Sequence, residues 1–461
     1  MTTTFTGELL HPDDDGYDEA RTIWNAMIDR RPALIARCAS TEDVIAALEL
    51  AAAEDLEVSV RGGGHSIPGH SVIDGALMID LSPLNQIQVD AAARTAVIGG
   101  GALLGDVDQA TQQYGLAVAA GAISHTGAGG LILGGGLGWT MRKYGLTIDA
   151  LIGARIVTAD GQDLWVDGDN HPDLFWALRG GGGNFGVVTE FHVRLHPRGP
   201  VLLTMAVYDI PDAAQVLTRM AEVMPTAHRD LVWSAFFRLL PPFPWAPAHR
   251  HGTPVLLAPL AWLGDDLDEG HALIQSLTDS IDATPLAVDT DVVDYLTLQS
   301  MNDELNGHGL HNYHKSAFLA ELDAATIETL VTQGAAIASE NSQLEVLSMG
   351  GAIDDVHADD TAFAGRTQMW PVNVCGIWRP EESRERNLAW VRGTFDALGP
   401  YRSAASYLNF GGSDADQDAS KSFGAHNWER LRTVKTTYDP DNRFRFNANI
   451  PPYAKTTAEH V

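Results

Sequence analysis

The chain has 461 residues, 45% of them hydrophobic and 20% charged, which suits a soluble globular protein of two or three domains. Its 60 acidic residues against 30 basic ones, a formal charge of −30, argue against nucleic acid or an anionic membrane as partner, since phosphate binding rests on basic patches. Only two cysteines, Cys38 and Cys375, exclude a disulfide scaffold, no Cys/His spacing predicts a metal site, and no apolar run reaches bilayer length, so a cytoplasmic protein is expected.

The opening residues, MTTTFTGELLHPDDD, lack the basic and apolar regions of a signal peptide. Residues 18–31 read as a helix, and Ser40-Thr-Glu-Asp reads as the capped start of a helix through Ala53. Leu56–Val60 alternates as a strand and runs into Arg61-Gly-Gly-Gly-His65, and 76–80 and 95–98 are further strands. From about 200 to 400 the texture changes to alternating strands, clearest at 232–238 and 343–347, with a helix over 324–339. This predicts an α+β sheet with helices on one face. Past 400 come a short strand-like segment, Tyr407–Phe410, and a helix near 427–437.

Glycines cluster at 62–64, 127–138 and 180–186, where bare backbone amides can approach and cradle a pyrophosphate. Gly181-x-Gly183-x-x-Gly186 fits the dinucleotide fingerprint, but a helix (173–179) precedes it and a strand (187–191) follows. That is the reverse of the Rossmann order, so a Rossmann fold is not expected.

The segments VRGGGHSIPGHS (60–71), GALMIDLS (75–82), GAISHTGAGGLILGGGLGWTMRKYGLTIDAL (121–151), LFWALRGGGGNFGVVTEF (174–191) and VKTTYDPDNRFRFNANIPP (434–452) resemble the berberine-bridge-enzyme-like FAD-linked oxidases of the vanillyl-alcohol-oxidase superfamily. The resemblance implies a PCMH-type FAD domain made from residues 1–200 and a returning segment, 401–461. Between them lies an inserted substrate domain, 201–400, whose antiparallel sheet roofs the flavin. It implies a covalent 8α-histidyl link to FAD through His65, whose neutral imidazole is a suitable nucleophile. It also implies FAD contacts from Arg61, Gly62, Gly63, Gly64, Ser66, Gly69 and His70. Further contacts are expected from Ser124, His125, Thr126, Gly129, Gly130, Gly134 and Gly138, then from Gly186, Val187 and Val188, and finally from Asn409, Asn447 and Asn449. Many relatives carry a second link through a cysteine, but Ile123 stands at that place here and neither cysteine is near it in sequence, so one link is expected.

Thr126 resembles the family's oxygen gatekeeper, and its small side chain suits O2 as electron acceptor. Alcohol oxidation by hydride transfer also needs a proton acceptor. Some relatives place a glutamate where Asn373 stands, and asparagine cannot act as a base. Glu345 is the better candidate, sharing a strand face with Gln343 and Leu347. Tyr407, in a Tyr-x-Asn motif with Asn409, is expected to touch substrate or assist the base. His311, Tyr313 and His314 in HGLHNYHKS could line the pocket, but a polar surface loop is the favoured reading.

An O2-dependent oxidase of a small organic substrate is the leading expectation. The opening segment PDDDGYDEARTIWNAMIDRRPALIARC and SHTG also resemble the bacterial enterocin favorskiase type, which makes a tailoring oxygenase of polyketide-like metabolites the alternative. A non-catalytic binder on the same fold is the third reading. Oligomeric state is left open.

Overall fold

The computed structural model describes residues 5–403, 405–411 and 419–454. Four sheets organise them. The first contains β1 (Glu8–Leu10), β2 (Leu34–Arg37), β3 (Val58–Arg61) and β4 (Leu77–Asp80) in the order β1-β2-β4-β3. Its β2–β4 and β3–β4 pairs are parallel. The helix Thr41–Ala53 makes the β2–β3 crossover, and Ser40 caps it by accepting from the Asp43 amide, as its sequence predicts.

The second sheet is antiparallel, with β5 (Ile87–Asp90), β6 (Thr95–Gly99), β8 (Leu151–Val157), β9 (Asp163–Val166) and β10 (Val187–Arg194) in the order β5-β6-β10-β8-β9. Between β6 and β8, β7 (Leu116–Ala117) pairs with β11 (His196–Pro197). The helix Pro172–Leu178 precedes the 180–186 glycines and β10 follows them, so the non-Rossmann order stands.

The large fourth sheet takes every strand from residues 201–378. β12 (Val201–Asp209), β13 (Leu231–Trp233), β14 (Ala235–Leu239), β15 (Pro254–Trp262), β16 (Ala287–Val293), β17 (His311–Leu319), β18 (Gln343–Val346) and β19 (Trp370–Trp378) form it. The order is β16-β12-β15-β14-β18-β19-β17, with β13 beside β15, and all pairs are antiparallel. Apolar residues of one face, among them Tyr208, Trp233, Phe237, Leu344 and Val374, pack with helix residues such as Val216, Leu217, Ile274, Leu330 and Val391 into the largest core. Helices on one face leave the other free to cover a cavity, and this is an α+β architecture.

Local expectations fail where tertiary contacts outbid local pattern. The expected 18–31 helix stops after Tyr17–Arg21 because the next residues reach elsewhere. The Asn25 amide donates to the Ile67 and Asn312 carbonyls at 2.7 and 2.8 Å, and the Trp24 indole donates to Asn306 O at 2.5 Å. The expected 232–238 strand breaks at Ser234, and the 324–339 helix ends at Gly334. Residues 311–314 are no surface loop but the start of β17, the edge strand of the large sheet beside β19. The segment expected as a strand at 407–410 turns as a 3-10 helix over Leu408–Phe410.

Candidate active site

A cavity of about 920 Å³ lies between the cavity face of the large sheet and the glycine-rich loops, at the upper end of the range of ligand pockets. Its floor is backbone. Gly63 and Gly127 pack so closely that a Cβ on Gly63 would stand 2.4 Å from the Gly127 Cα, which joins the 61–66 loop to the 121–127 loop. The C-terminal segment clamps the third wall. Gly136 and Leu137 amides donate to Tyr407 Oη at 3.1 and 3.3 Å, and Asn409 Nδ2 donates to Tyr407 Oη at 2.9 Å and to Leu131 O at 3.1 Å.

Most of the expected cofactor residues line this one cavity: Gly62, Gly63, Gly64, His65, Ser66 and His70; Thr126, Gly129, Gly130, Gly134 and Gly138; Gly186, Val187 and Val188; Asn409, Asn447 and Asn449. Four do not. Arg61 turns back to the Ala20 carbonyl, and Gly69 gives its carbonyl to Arg30 at 2.7 Å. Ser124 is held by Asp303, whose Oδ1 accepts its amide at 2.8 Å and whose Oδ2 accepts its hydroxyl. His125 stands one layer behind His65, its Nδ1 2.9 Å from His65 Nε2. These four shape the wall without forming it.

His65 is stacked on Trp24, with ring centroids 4.1 Å apart and planes 16° from parallel. Burial, then the nearby His125, His308 and His314, push its pKa well below the usual histidine value, so it is a neutral imidazole at physiological pH. With Nε2 engaged by His125, Nδ1 is the nitrogen left for other chemistry. Trp24 was invisible as a site residue in the sequence, since nothing local marks a tryptophan that packs against a loop forty residues on.

The sheet above contributes two parallel rows. In the pairing register, Phe236, Glu345, Asn373 and Ser316 lie side by side, and so do Arg238, Gln343, Cys375 and His314. All eight project to the cavity side by strand alternation. Gln343, Glu345 and Leu347 all line the cavity, on the single face their spacing predicts. Glu345 accepts from Gln343 Nε2 at 2.6 Å and from Asn373 Nδ2 at 3.3 Å. Burial outweighs these bonds and the nearby Arg238 charge, and raises its pKa to about 7. Among the described residues it is the sole Asp, Glu, Lys or Arg on the cavity wall. Cys375, distant from Ile123 in sequence, nevertheless lines the same cavity from the roof, and both cysteines are free thiols. His314, expected on the surface, is buried in the roof with its pKa pushed down to about 3 by burial.

The wall fits FAD in its donor set. Among the described residues it carries no Lys or Arg, so a pyrophosphate there meets glycine amides. Buried polar atoms on the wall lack protein partners, including Ser59 Oγ, Ser71 Oγ, Asn447 Oδ1, Asn449 Oδ1 and both ring nitrogens of His314. Buried polar groups are rarely left so, which marks this wall as built for a polar ligand. Among the described residues, no group of three or more His, Cys, Asp or Glu is placed to hold a metal, and no helix is long and apolar enough to cross a membrane.

Comparison with known proteins agrees with this geometry. Residues 32–167 match the FAD binding domain family, and residues 406–451 match the berberine and berberine-like family. The chain is 30% identical over 466 residues to (R)-6-hydroxynicotine oxidase of Paenarthrobacter nicotinovorans, covering 97% of each chain. It is similar to the crystal structure of 6-hydroxy-D-nicotine oxidase from Arthrobacter nicotinovorans, at TM-score 0.86 and 29% identity over 98% of this chain and 99% of that one. A glucooligosaccharide oxidase structure from Acremonium strictum, described with a 6-S-cysteinyl, 8α-N1-histidyl FAD, matches at TM-score 0.84 and 25% identity over 97% of this chain and 98% of that one. The chain is an FAD-dependent oxidoreductase and belongs to the berberine-bridge-enzyme-like FAD-linked oxidoreductases of the vanillyl-alcohol-oxidase superfamily.

Proposed function

We propose that the protein is an FAD-dependent oxidase of a small organic substrate, with O2 as electron acceptor, FAD attached through His65 Nδ1 alone and Glu345 as the base. The observation that carries this reading is the isolation of Glu345, among the described residues the sole carboxylate on a cavity whose opposite wall presents a neutral histidine and a glycine floor. When bound, the flavin supplies the hydride acceptor and returns the electrons to O2.

The remaining chemistry belongs to the chain. Glu345 takes the proton of the substrate as hydride leaves, and a pKa near 7 matches that task at neutral pH. Asn373 and Gln343 hold its two oxygens in place. Tyr407 fixes the 136–137 loop and the adjacent wall, and Thr126 keeps that wall open to a small molecule. Residues 1–200 with 401–461 form the flavin domain in this reading, and 201–400 the substrate domain. Ile123 on the wall leaves one histidyl link, in contrast to the double link of the glucooligosaccharide oxidase.

Acid precipitation of the purified protein tests the link: flavin that stays in the pellet, but is lost from a His65→Ala variant, is the expected result. Flavin that washes out of the parent overturns it. Peroxide formed in proportion to substrate consumed supports the oxidase reading, whereas incorporation of oxygen into product shifts it to the oxygenase alternative.

A further inference from the structure

The cavity roof is rich in polar residues, yet it turns little polar surface toward a ligand. Gln343 Nε2 and Asn373 Nδ2 are both engaged by Glu345, at 2.6 and 3.3 Å, and the Cys375 thiol is a third donor to it. Asn373 Oδ1 and both ring nitrogens of His314 are buried. Among the roof residues that line the cavity, Val232, Ser234, His314, Gln343, Asn373 and Cys375 are buried, whereas Phe236, Glu345 and Leu347 are only half-buried. These last three are the roof side chains that a ligand can reach.

Sheet register sets the three side by side. Phe236 stands directly opposite Glu345 in the β14–β18 ladder, roughly 4.5–5.5 Å away between Cβ atoms. Leu347 follows Glu345 by two positions on the same face, and its amide donates to Pro371 O at 2.9 Å, which carries the ladder past the end of β18. One carboxyl is thereby flanked by two apolar side chains. Ile123, on the 121–127 loop, adds a further half-buried apolar side chain to the same cavity. Among the described residues no Lys or Arg lines the wall, so an anionic group would meet no cation there. A molecule bearing hydroxyls all round would leave those against Phe236 and Leu347 without partners, a loss of the hydrogen bonds that water gave them.

We propose that the substrate is an uncharged alcohol whose reacting carbon is joined to an apolar body, with the hydroxyl on Glu345 and the body against Phe236 and Leu347. This rests on the oxidase reading above and narrows it to one substrate class. The step balances as an alcohol oxidation: the O–H proton goes to the Glu345 carboxylate, the C–H hydride goes to the flavin, and the carbon–oxygen bond becomes a carbonyl. Phe236 and Leu347 are the specificity-determining residues. They supply apolar contact for the body and keep water from the carboxyl, while Gln343, Asn373 and Cys375 fix the carboxyl in place.

Three molecules that share a six-membered ring and a hydroxymethyl group are the probes: cyclohexylmethanol, 4-(hydroxymethyl)cyclohexanecarboxylate and glucose. Anaerobic calorimetric titration of the flavin-loaded protein at neutral pH is expected to show cyclohexylmethanol binding about tenfold tighter or more than either of the others. Phe236→Ala is expected to weaken cyclohexylmethanol about tenfold and to leave glucose unchanged. Glucose or the carboxylate binding as tightly as cyclohexylmethanol, absence of cyclohexylmethanol binding, or undiminished binding in Phe236→Ala overturns the proposal. Should Phe236→Ala fail to fold, Leu347→Ala is read in the same way. Flavin absorbance of the same samples tests the oxidase reading separately. Cyclohexylmethanol bound without bleaching refutes hydride transfer and leaves the binding preference standing, whereas bleaching by glucose alone keeps the oxidase reading and overturns this substrate class.

Discussion

At the scale of single residues, the proposed chemistry turns on an imidazole that burial keeps neutral and a carboxyl that burial moves to titrate near neutral pH. Glu345 accepts a proton only when ionised, and its pKa near 7 places that change at physiological pH. The reductive half-reaction is therefore expected to quicken as pH rises through about 7 and to level off above it, measured by stopped-flow bleaching of the flavin. Glu345→Gln removes that pH limb and slows the step about 100- to 10,000-fold, the usual worth of a positioned base. A pH-independent parent, or a Glu345→Gln variant of undiminished rate, sinks the assignment. The same burial has a cost in stability. A carboxyl raised from 4.5 to about 7 on folding contributes stability that is complete below the unfolded value and lost as pH rises through the folded one. Glu345→Gln is thus expected to melt higher than the parent near pH 8 but not near pH 5, by up to about 3 kcal/mol at roughly 1.4 kcal/mol per unit. Melting curves at the two pH values check it, and an unchanged difference between them counts against the buried carboxyl.

At the scale of elements, the site depends on close approaches between loops that distant parts of the chain supply. A methyl on Gly63 or Gly127 would fall on the backbone of the other, where no rotamer change relieves it. Gly63→Ala is expected to separate the 61–66 and 121–127 loops and lower flavin occupancy, whereas Gly168→Ala, off the cavity wall and with nothing within 4 Å of its Cβ, is expected to leave occupancy intact. The flavin-to-protein absorbance ratio of each variant distinguishes the two. This is also where reading from sequence succeeds and fails. The glycine clusters, the Ser40 cap and the alternation of Gln343, Glu345 and Leu347 are local patterns, and each has its expected counterpart in the structure. Trp24, Cys375 and His314 reach the site through strand order and long-range packing, which no spacing in the chain encodes. His314 shows the reason plainly: in HGLHNYHKS it looks solvated, and only the β17–β19 register turns it inward. Arg61, Ser124 and His125 err in the other direction, since a motif marks their neighbourhood without saying which side chains face the ligand.

At the scale of the whole molecule, the C-terminal segment locks the glycine loops to the rest through one buried ion pair. Lys435 and Asp439 are fully buried, 2.5 Å apart on one helix turn. Lys435 Nζ also donates to Asn184 O at 2.7 Å and to Phe444 O at 3.0 Å, while Asp439 accepts the Arg443 and Phe444 amides at 2.7 and 2.8 Å. Asn184, held this way, donates to Ala448 O at 3.1 Å and accepts the Ile450 amide at 2.9 Å. The 180–186 loop, the last helical segment (Ala419–Tyr438, kinked at Gly424) and the irregular return carrying Asn447 and Asn449 therefore share one polar centre. Burial lowers the Lys435 pKa, yet Asp439 and the two carbonyls match its charge and donors, so the group is satisfied as a set and not residue by residue. Lys435→Met keeps the bulk of the side chain but strands Asp439 as a buried, unpaired carboxylate, which costs about 3–5 kcal/mol. Lys435→Met combined with Asp439→Asn is expected to recover part of that loss, because the stranded charge is then gone. Chemical denaturation of the single and double variants gives the coupling, and a double variant no more stable than Lys435→Met would show that the centre works through packing and not through charge.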